Sequence, residues 1–211
     1  MTVFPHSYPT VGQTPAANYS LQPEIRIYGR PTTNKNLKEI TMTPLQFRDY
    51  AERQMAPTEP LFLLVPSDKK DWKPTEESFT AGQLMYHMAY ALRFNGNGIL
   101  KNEWALPSLR HVFVSNRKTP SASVEECVNL YRENSMFFLG IFSAMSNEEF
   151  QTGELDTLQL GRAQKWRMSL FALEHHLNHK AELFMYLKLM GVKVTSRELY
   201  GDLGQTGKAP L

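Results

Sequence analysis

The stretch Glu174-His175-His176-Leu177-Asn178-His179-Lys180-Ala181-Glu182 holds three of the six histidines of the chain. On a helix, residues four apart stand about 40° apart in projection and about 6 Å apart along the axis. His175 and His179 can therefore aim two imidazoles at one point. A catalytic divalent-metal site takes three protein ligands and leaves a fourth corner for water or substrate, so a third ligand must come from another element. His176 projects about 100° away from His175, toward the side of the helix that carries Lys180 and Leu187, and is the weaker candidate. Glu182 lies one turn beyond His179 on the same face. It reads as an exposed carboxylate at the end of the core, as an acceptor that orients a ligand, or as a base acting on bound water.

The third histidine comes from an earlier helix. Thr80-Ala-Gly-Gln83 is a capping box, and the helix it opens is expected to run to about Phe94 or Leu100 and to end among Gly96 and Gly98. Gln83, Leu84, Tyr90, Ala91 and Phe94 fall within about 60° of His87 on that helix. This face is mostly apolar, so His87 is expected to point inward. Three imidazoles on facing helices of a bundle can occupy three corners of a tetrahedron around one ion. The bland reading of the same pattern is three buried or surface histidines with hydrogen-bond partners. Tyr90, Tyr131 and Tyr186 read as core aromatics. His111 and His6 read as surface or supporting residues.

Further elements must hold these side chains. Thr43-Pro44-Leu45-Gln46 starts a first helix, which Pro57 and Pro60 should kink or break before Leu61 to Val65 return to the core. Pro66 to Pro74 reads as a loop. Residues 101 to 120 read as a long irregular crossover, and Ser123-Val-Glu-Glu126 caps a helix to about Met145. Ser146 to about Gly161 reads as polar and turn-like. The last helix is expected from about Arg162 to Met190, closed by Gly191. It carries a second apolar strip, Trp166, Leu170, Leu173, Leu177 and Phe184, roughly opposite His175. A bundle core buries one face, so this strip calls for cover by the N-terminal arm or a second subunit, and a homodimer is favoured. Residues 1–42, with five prolines, read as an irregular arm, residues 43–192 as the bundle and residues 193–211 as a polar tail. Gly201 to Lys208 lacks the spacing, the hydroxyl residue and the preceding strand of a phosphate loop.

Composition narrows the function classes. Apolar residues make up 42% and charged residues 21% of 211 positions, as in ordinary globular proteins. The net charge of +2 comes from 23 basic and 21 acidic residues with no long run of one sign, which gives nucleic-acid binding no support. Cys127 is the single cysteine. It leaves no intrachain disulfide or thiolate-rich metal site, and with no basic neighbour it reads as a small buried hydrophobe. The start of the chain lacks a basic region followed by an apolar one, so no signal peptide is expected. No apolar run approaches the ~18 residues of a membrane span. A cytoplasmic protein is the expectation.

Asp71-Trp-Lys-Pro74 with Phe79-Thr-Ala-Gly-Gln-Leu-Met-Tyr-His87 resembles the Trp/Pro loop and second-helix start of the DinB/YfiT-like superfamily of metal-binding four-helix bundles. His175-His-Leu-Asn-His179-Lys-Ala-Glu-Leu183, with Tyr186-Leu-Lys-Leu-Met-Gly191, resembles that superfamily's H-x-x-x-H-R-G-Q-L helix and its Leu-Gly ending. The resemblance spans about residues 43 to 192. It implies an all-α four-helix bundle with His87, His175 and His179 as ligands of a Zn, Ni or Fe ion. Relatives include thiol-dependent transferases and isomerases and a candidate hydrolase, and many members have no known activity. The expectation is a metal-dependent enzyme, an S-transferase using a low-molecular-weight thiol or a small-molecule hydrolase, with Glu182 orienting or deprotonating the nucleophile. The alternative is a non-catalytic, metal-stabilised interaction or stress-response protein. Three departures stand out: Lys180-Ala181-Glu182 replaces Arg-Gly-Gln, Pro57 and Pro60 interrupt the first helix, and the arm is additional.

Overall fold

Side-chain caps start three of the main helices where the sequence places them. In the computed structural model, which describes residues 41–104, 118 and 120–201, helix α1 (Pro44–Met55) opens with a reciprocal box. Thr43 Oγ1 accepts from the Gln46 amide at 3.1 Å, and Gln46 Oε1 accepts from the Thr43 amide at 2.9 Å. The same box, Thr80 with Gln83, opens α3 (Ala81–Lys101). Ser123 accepts from the Glu126 amide at 3.1 Å to open α4 (Val124–Ala144). The two boxes and the single Ser123 cap satisfy amides that the first turn leaves without partners.

The two prolines break the first helix as expected. α1 stops at Met55, and α2 (Thr58–Leu63) restarts with Pro57 at its cap and Pro60 in its first turn, where a missing amide costs nothing. Leu61, Phe62 and Val65 are buried. The longest helix, α6 (Lys165–Leu189), follows a short α5 (Asn147–Thr152) and a two-stranded hairpin. It ends in a Schellman closure: the Val192 amide donates to Leu187 O at 2.9 Å, the Gly191 amide to Lys188 O at 3.0 Å, and Gly191 has φ +85°. α3 packs between α4 and α6, and α1 also lies against α4 and α6. Phe47, Phe138, Phe142 and Phe150 form one end of the core, with Phe47 and Phe142 edge-on at 4.6 Å.

Four expectations need correction. α3 runs through Gly96 and Gly98 to Lys101 and ends at Asn102, in the left-handed region at φ 57°. The glycines are contact points: a Cβ at Gly98 would stand 2.3 Å from the Trp104 ring, and one at Gly96 would stand 2.7 Å from Phe137. The polar segment after Ser146 is ordered into α5 and the strands β1 (Glu154–Thr157) and β2 (Gly161–Gln164), paired antiparallel with Leu155 opposite Ala163. Trp104 Nε1 donates to Asp156 O at 2.8 Å and Asn102 Oδ1 accepts from the Asp156 amide at 3.1 Å, which ties the hairpin to the end of α3. In consequence α6 starts at Lys165, three residues later than expected. Within the expected tail, Thr195 caps a short α7 (Ser196–Tyr200).

The second apolar strip of α6 is partly satisfied within the chain. Leu173 and Phe184 are buried, and Trp166, Leu170 and Leu177 are half-buried against the core. The described chain is mostly helical, and no described helix is long and apolar enough to cross a membrane. The arm through residue 40, most of the crossover with His111, and residues 202–211 lie outside the described residues.

Candidate metal centre

His87 sits in the second turn of α3, and the preceding loop fixes the start of that helix. Trp72 O accepts from the Ala81 amide and Lys70 O from the Gly82 amide, both at 2.8 Å. Together with the Thr80 box, these bonds satisfy the amides that a helix N-terminus leaves open. Gly82 admits a close approach, since a Cβ there would lie 2.5 Å from Ala122 O. His87 points inward as expected and is 8% exposed. Its ring stacks on Phe79 at 5.5 Å and 28°.

α6 supplies the other two imidazoles, one turn apart. His87 Nε2 and His175 Nε2 are 3.2 Å apart, and so are His175 Nε2 and His179 Nε2. One ligand atom from each of the three histidines lies within 4.8 Å of the others, and no further His, Cys, Asp or Glu joins this group among the described residues. Ligands at ~2.0 to 2.1 Å from a tetrahedral ion are separated by about 3.3 Å, so both short distances fit the edges of such a site. The ring planes are nearly perpendicular, at 80°, 90° and 86°. His87 and His175 are only useful to a metal when neutral. Burial, reinforced by the neighbouring imidazoles, pushes His87 down to about 3 and His175 to about 4.

Glu182 stands behind His179 rather than at the convergence point. His179 Nδ1 lies 2.8 Å from Glu182 Oε2. A carboxylate only accepts, so Nδ1 carries the proton and Nε2 presents its lone pair to the other imidazoles. This is the carboxylate–histidine arrangement that orients metal ligands. The other oxygen, Oε1, accepts from the Tyr186 hydroxyl at 3.0 Å. The His179 hydrogen bond, helped by Tyr186, holds the Glu182 carboxyl below the usual carboxylate range. Glu182 thus accepts from both His179 and Tyr186.

His176 faces elsewhere. It is 2% exposed, its Nε2 lies 2.9 Å from Thr58 Oγ1, and its ring stacks with Tyr131 at 5.8 Å. Lys180 points to the same side and is 4% exposed. It donates from Nζ to Gln54 O at 2.7 Å, closing one of the orphan carbonyls at the end of α1. Burial pushes Lys180 down to about 8. Cys127 is fully buried, and burial pushes its thiol up to about 12, as an inert hydrophobe requires. Sequence reasoning read Tyr186 only as a core aromatic and gave no contact to Phe79 or to the buried Lys180. The i, i+4 spacing of Glu182 and Tyr186 was a usable signal for the first.

No family model matches the chain. The curated protein YjoA of Bacillus subtilis strain 168, itself described as uncharacterized, is 26% identical over 129 residues, covering 60% of this chain and 77% of YjoA. The crystal structure of YjoA, a DinB-like protein, superposes with a TM-score of 0.54 at 20% identity over 71% of this chain and 94% of YjoA. A DinB-like protein from Bacillus cereus ATCC 10987 gives a TM-score of 0.59 at 14% identity, covering 73% of this chain and 97% of that one. The loop and histidine motifs and the structural neighbours therefore agree: this chain has the fold of the DinB-like proteins.

Proposed function

We propose that α1 with α2, α3, α4 and α6 form a DinB-like four-helix bundle, in which His87, His175 and His179 hold one divalent ion for enzymatic chemistry on a small molecule. The convergence of three Nε2 atoms at metal-ligand spacing carries this reading. A Zn, Ni or Fe ion there would supply Lewis acidity, making a thiol or a water nucleophilic near neutral pH. His87 and His175 meet it as neutral donors. Glu182 holds the His179 proton on Nδ1 and keeps Nε2 aimed inward.

Two reactions suit such a site: transfer of a low-molecular-weight thiol to an electrophile, and hydrolysis of a small substrate. The non-catalytic alternative calls for a sealed centre or a fourth protein ligand. His175 and His179 are only half-buried, and no fourth ligand-type residue joins them among the described residues, which favours the enzyme. A cytoplasmic homodimer belongs to the same proposal, with Trp166, Leu170 and Leu177 as the half-buried strip for the second copy. Light scattering that returns a monomer would remove that part.

Elemental analysis of protein purified without a metal column should find about one divalent ion per chain, lost in His179→Ala. A thiol-transfer and hydrolysis screen of the loaded protein then separates the two chemistries. Full metal occupancy in His179→Ala would overturn the ligand assignment.

A further inference from the structure

His87 and His175 are 88 residues apart in sequence, so the centre is only as accurate as the joint between the α3 start and α6. Functional constellations need placement within about 0.5 Å. Tyr186 occupies that joint. Its hydroxyl is 3.0 Å from Glu182 Oε1 and 3.2 Å from Phe79 O. Its ring meets Trp72 edge-on at 5.4 Å, and Phe79 is the residue whose ring stacks on His87. The contacts close a circuit, running from His179 to Glu182, to Tyr186, to Phe79, to His87 and back to the histidine pair.

Core packing accounts for the Tyr186 ring and leaves its hydroxyl unexplained. A buried phenol needs a partner, yet any carbonyl would serve. Here both partners belong to the centre: one fixes the imidazole of His179, and the other is the backbone of the shelf under His87. The carboxylate is the stronger acceptor of the single phenolic proton. We infer that Tyr186 is a positioning residue for the three-histidine centre. Its hydroxyl donates to Glu182 and holds it in the rotamer that accepts from His179 Nδ1–H, and its ring, edge-on to Trp72, ties that unit to the loop under His87. The inference rests on the metal-site reading. Without the hydroxyl, the half-exposed Glu182 side chain is free to turn to solvent, and His179 loses the group that keeps its proton off Nε2.

Tyr186→Phe keeps the ring against Trp72 and removes only the hydroxyl. Zinc affinity by chelator competition should fall about tenfold, the lower end for partners of metal ligands. In zinc-free protein, nitrogen NMR of the imidazoles should show a smaller Nδ1–H fraction at His179. Glu182→Ala should lose more affinity, and the double variant should be no weaker than Glu182→Ala, because both changes cut one relay. Wild-type zinc affinity with an unchanged His179 tautomer in Tyr186→Phe, or additive losses in the double variant, overturns the proposal. If the wild type binds no zinc, the metal reading fails, and the zinc-free tautomer comparison alone decides the role of Tyr186. A readout independent of the tyrosine variant is a slowly exchanging Tyr186 hydroxyl proton in the wild type, lost in Glu182→Ala. Its absence from the wild type overturns the proposal even if Tyr186→Phe does not fold.

Discussion

Thr58 Oγ1 and His176 Nε2 lie 2.9 Å apart in a buried contact that joins α2 to α6. The other ring nitrogen, His176 Nδ1, is buried with no hydrogen-bond partner. Thr58 thus carries the polar satisfaction of this imidazole. Thr58→Val keeps the shape and deletes the partner, and should cost about 1–3 kcal/mol of stability, the usual penalty for an unsatisfied buried group. Urea denaturation measures the loss. Zinc affinity, which depends on a different face of α6, should move by less than about twofold because valine keeps the packing that fixes the helix, and a large fall in affinity with stability intact would show the contact to belong to the centre.

Acid should destabilise the metal-free protein well before the carboxylates titrate. His87 and His176 are pushed down to about 3 and His175 to about 4 by burial first and neighbouring charges second. In the unfolded chain a histidine titrates at about 6.5. Between those values the unfolded state holds more protons, so stability rises with pH across this window and falls as pH drops through it. Melting temperature in the presence of a chelator should therefore decline from about pH 6.5 downward. A flat profile between pH 7 and pH 5 would contradict the burial of these rings in solution.

Glycine-to-alanine exchanges should change sign with position. A Cβ at Gly140 would meet nothing within 4 Å, on the exposed side of α4; alanine there should stabilise by up to about 1 kcal/mol through helix propensity. A Cβ at Gly82 would meet the Ala122 carbonyl at 2.5 Å. That neighbour is backbone and cannot swing aside, so Gly82→Ala should destabilise by about 1–3 kcal/mol. Thermal melts of the pair against wild type test the contrast directly.

Chelation should lower the melting temperature of protein isolated with its ion, because a ligand that binds only the folded state stabilises it by mass action. The same chelator should leave His87→Ala unchanged. An equal shift in both would mean that the chelator acts elsewhere than at the three histidines.

Much of this was legible in the chain itself. Thr43, Thr80 and Ser123 mark helix starts because a hydroxyl or carboxamide at fixed spacing meets a local need of the backbone. The pairing of His175 with His179 is likewise local. The use of His87 needed only the apolar face of its helix and the expectation of a bundle. What stayed hidden depends on distant neighbours. Gly96 and Gly98 look like a helix end, and only Phe137 and Trp104 reveal them as contact points. The strands around Thr157 to Gly161 are four residues each, too short for alternation to stand out. Lys180 reads as a solvated charge on a helix until the end of α1 is placed against it.

His175 and His176 are adjacent in sequence and serve different flanks of α6, about 100° apart, the first facing His87 and the second facing Thr58. Together with Lys180 on Gln54 and the buried Leu173, Leu183, Phe184 and Leu187, this contact sets the rotation of the helix about its own axis. At a side-chain radius of about 6 Å, a roll of about 20° would carry an imidazole nitrogen about 2 Å, roughly the length of a metal–nitrogen bond. The His176 flank of α6 acts as a gauge for the metal-facing one: packing and polar bonds that never meet a ligand together hold the angle at which His175 and His179 are presented, and no single bond decides it.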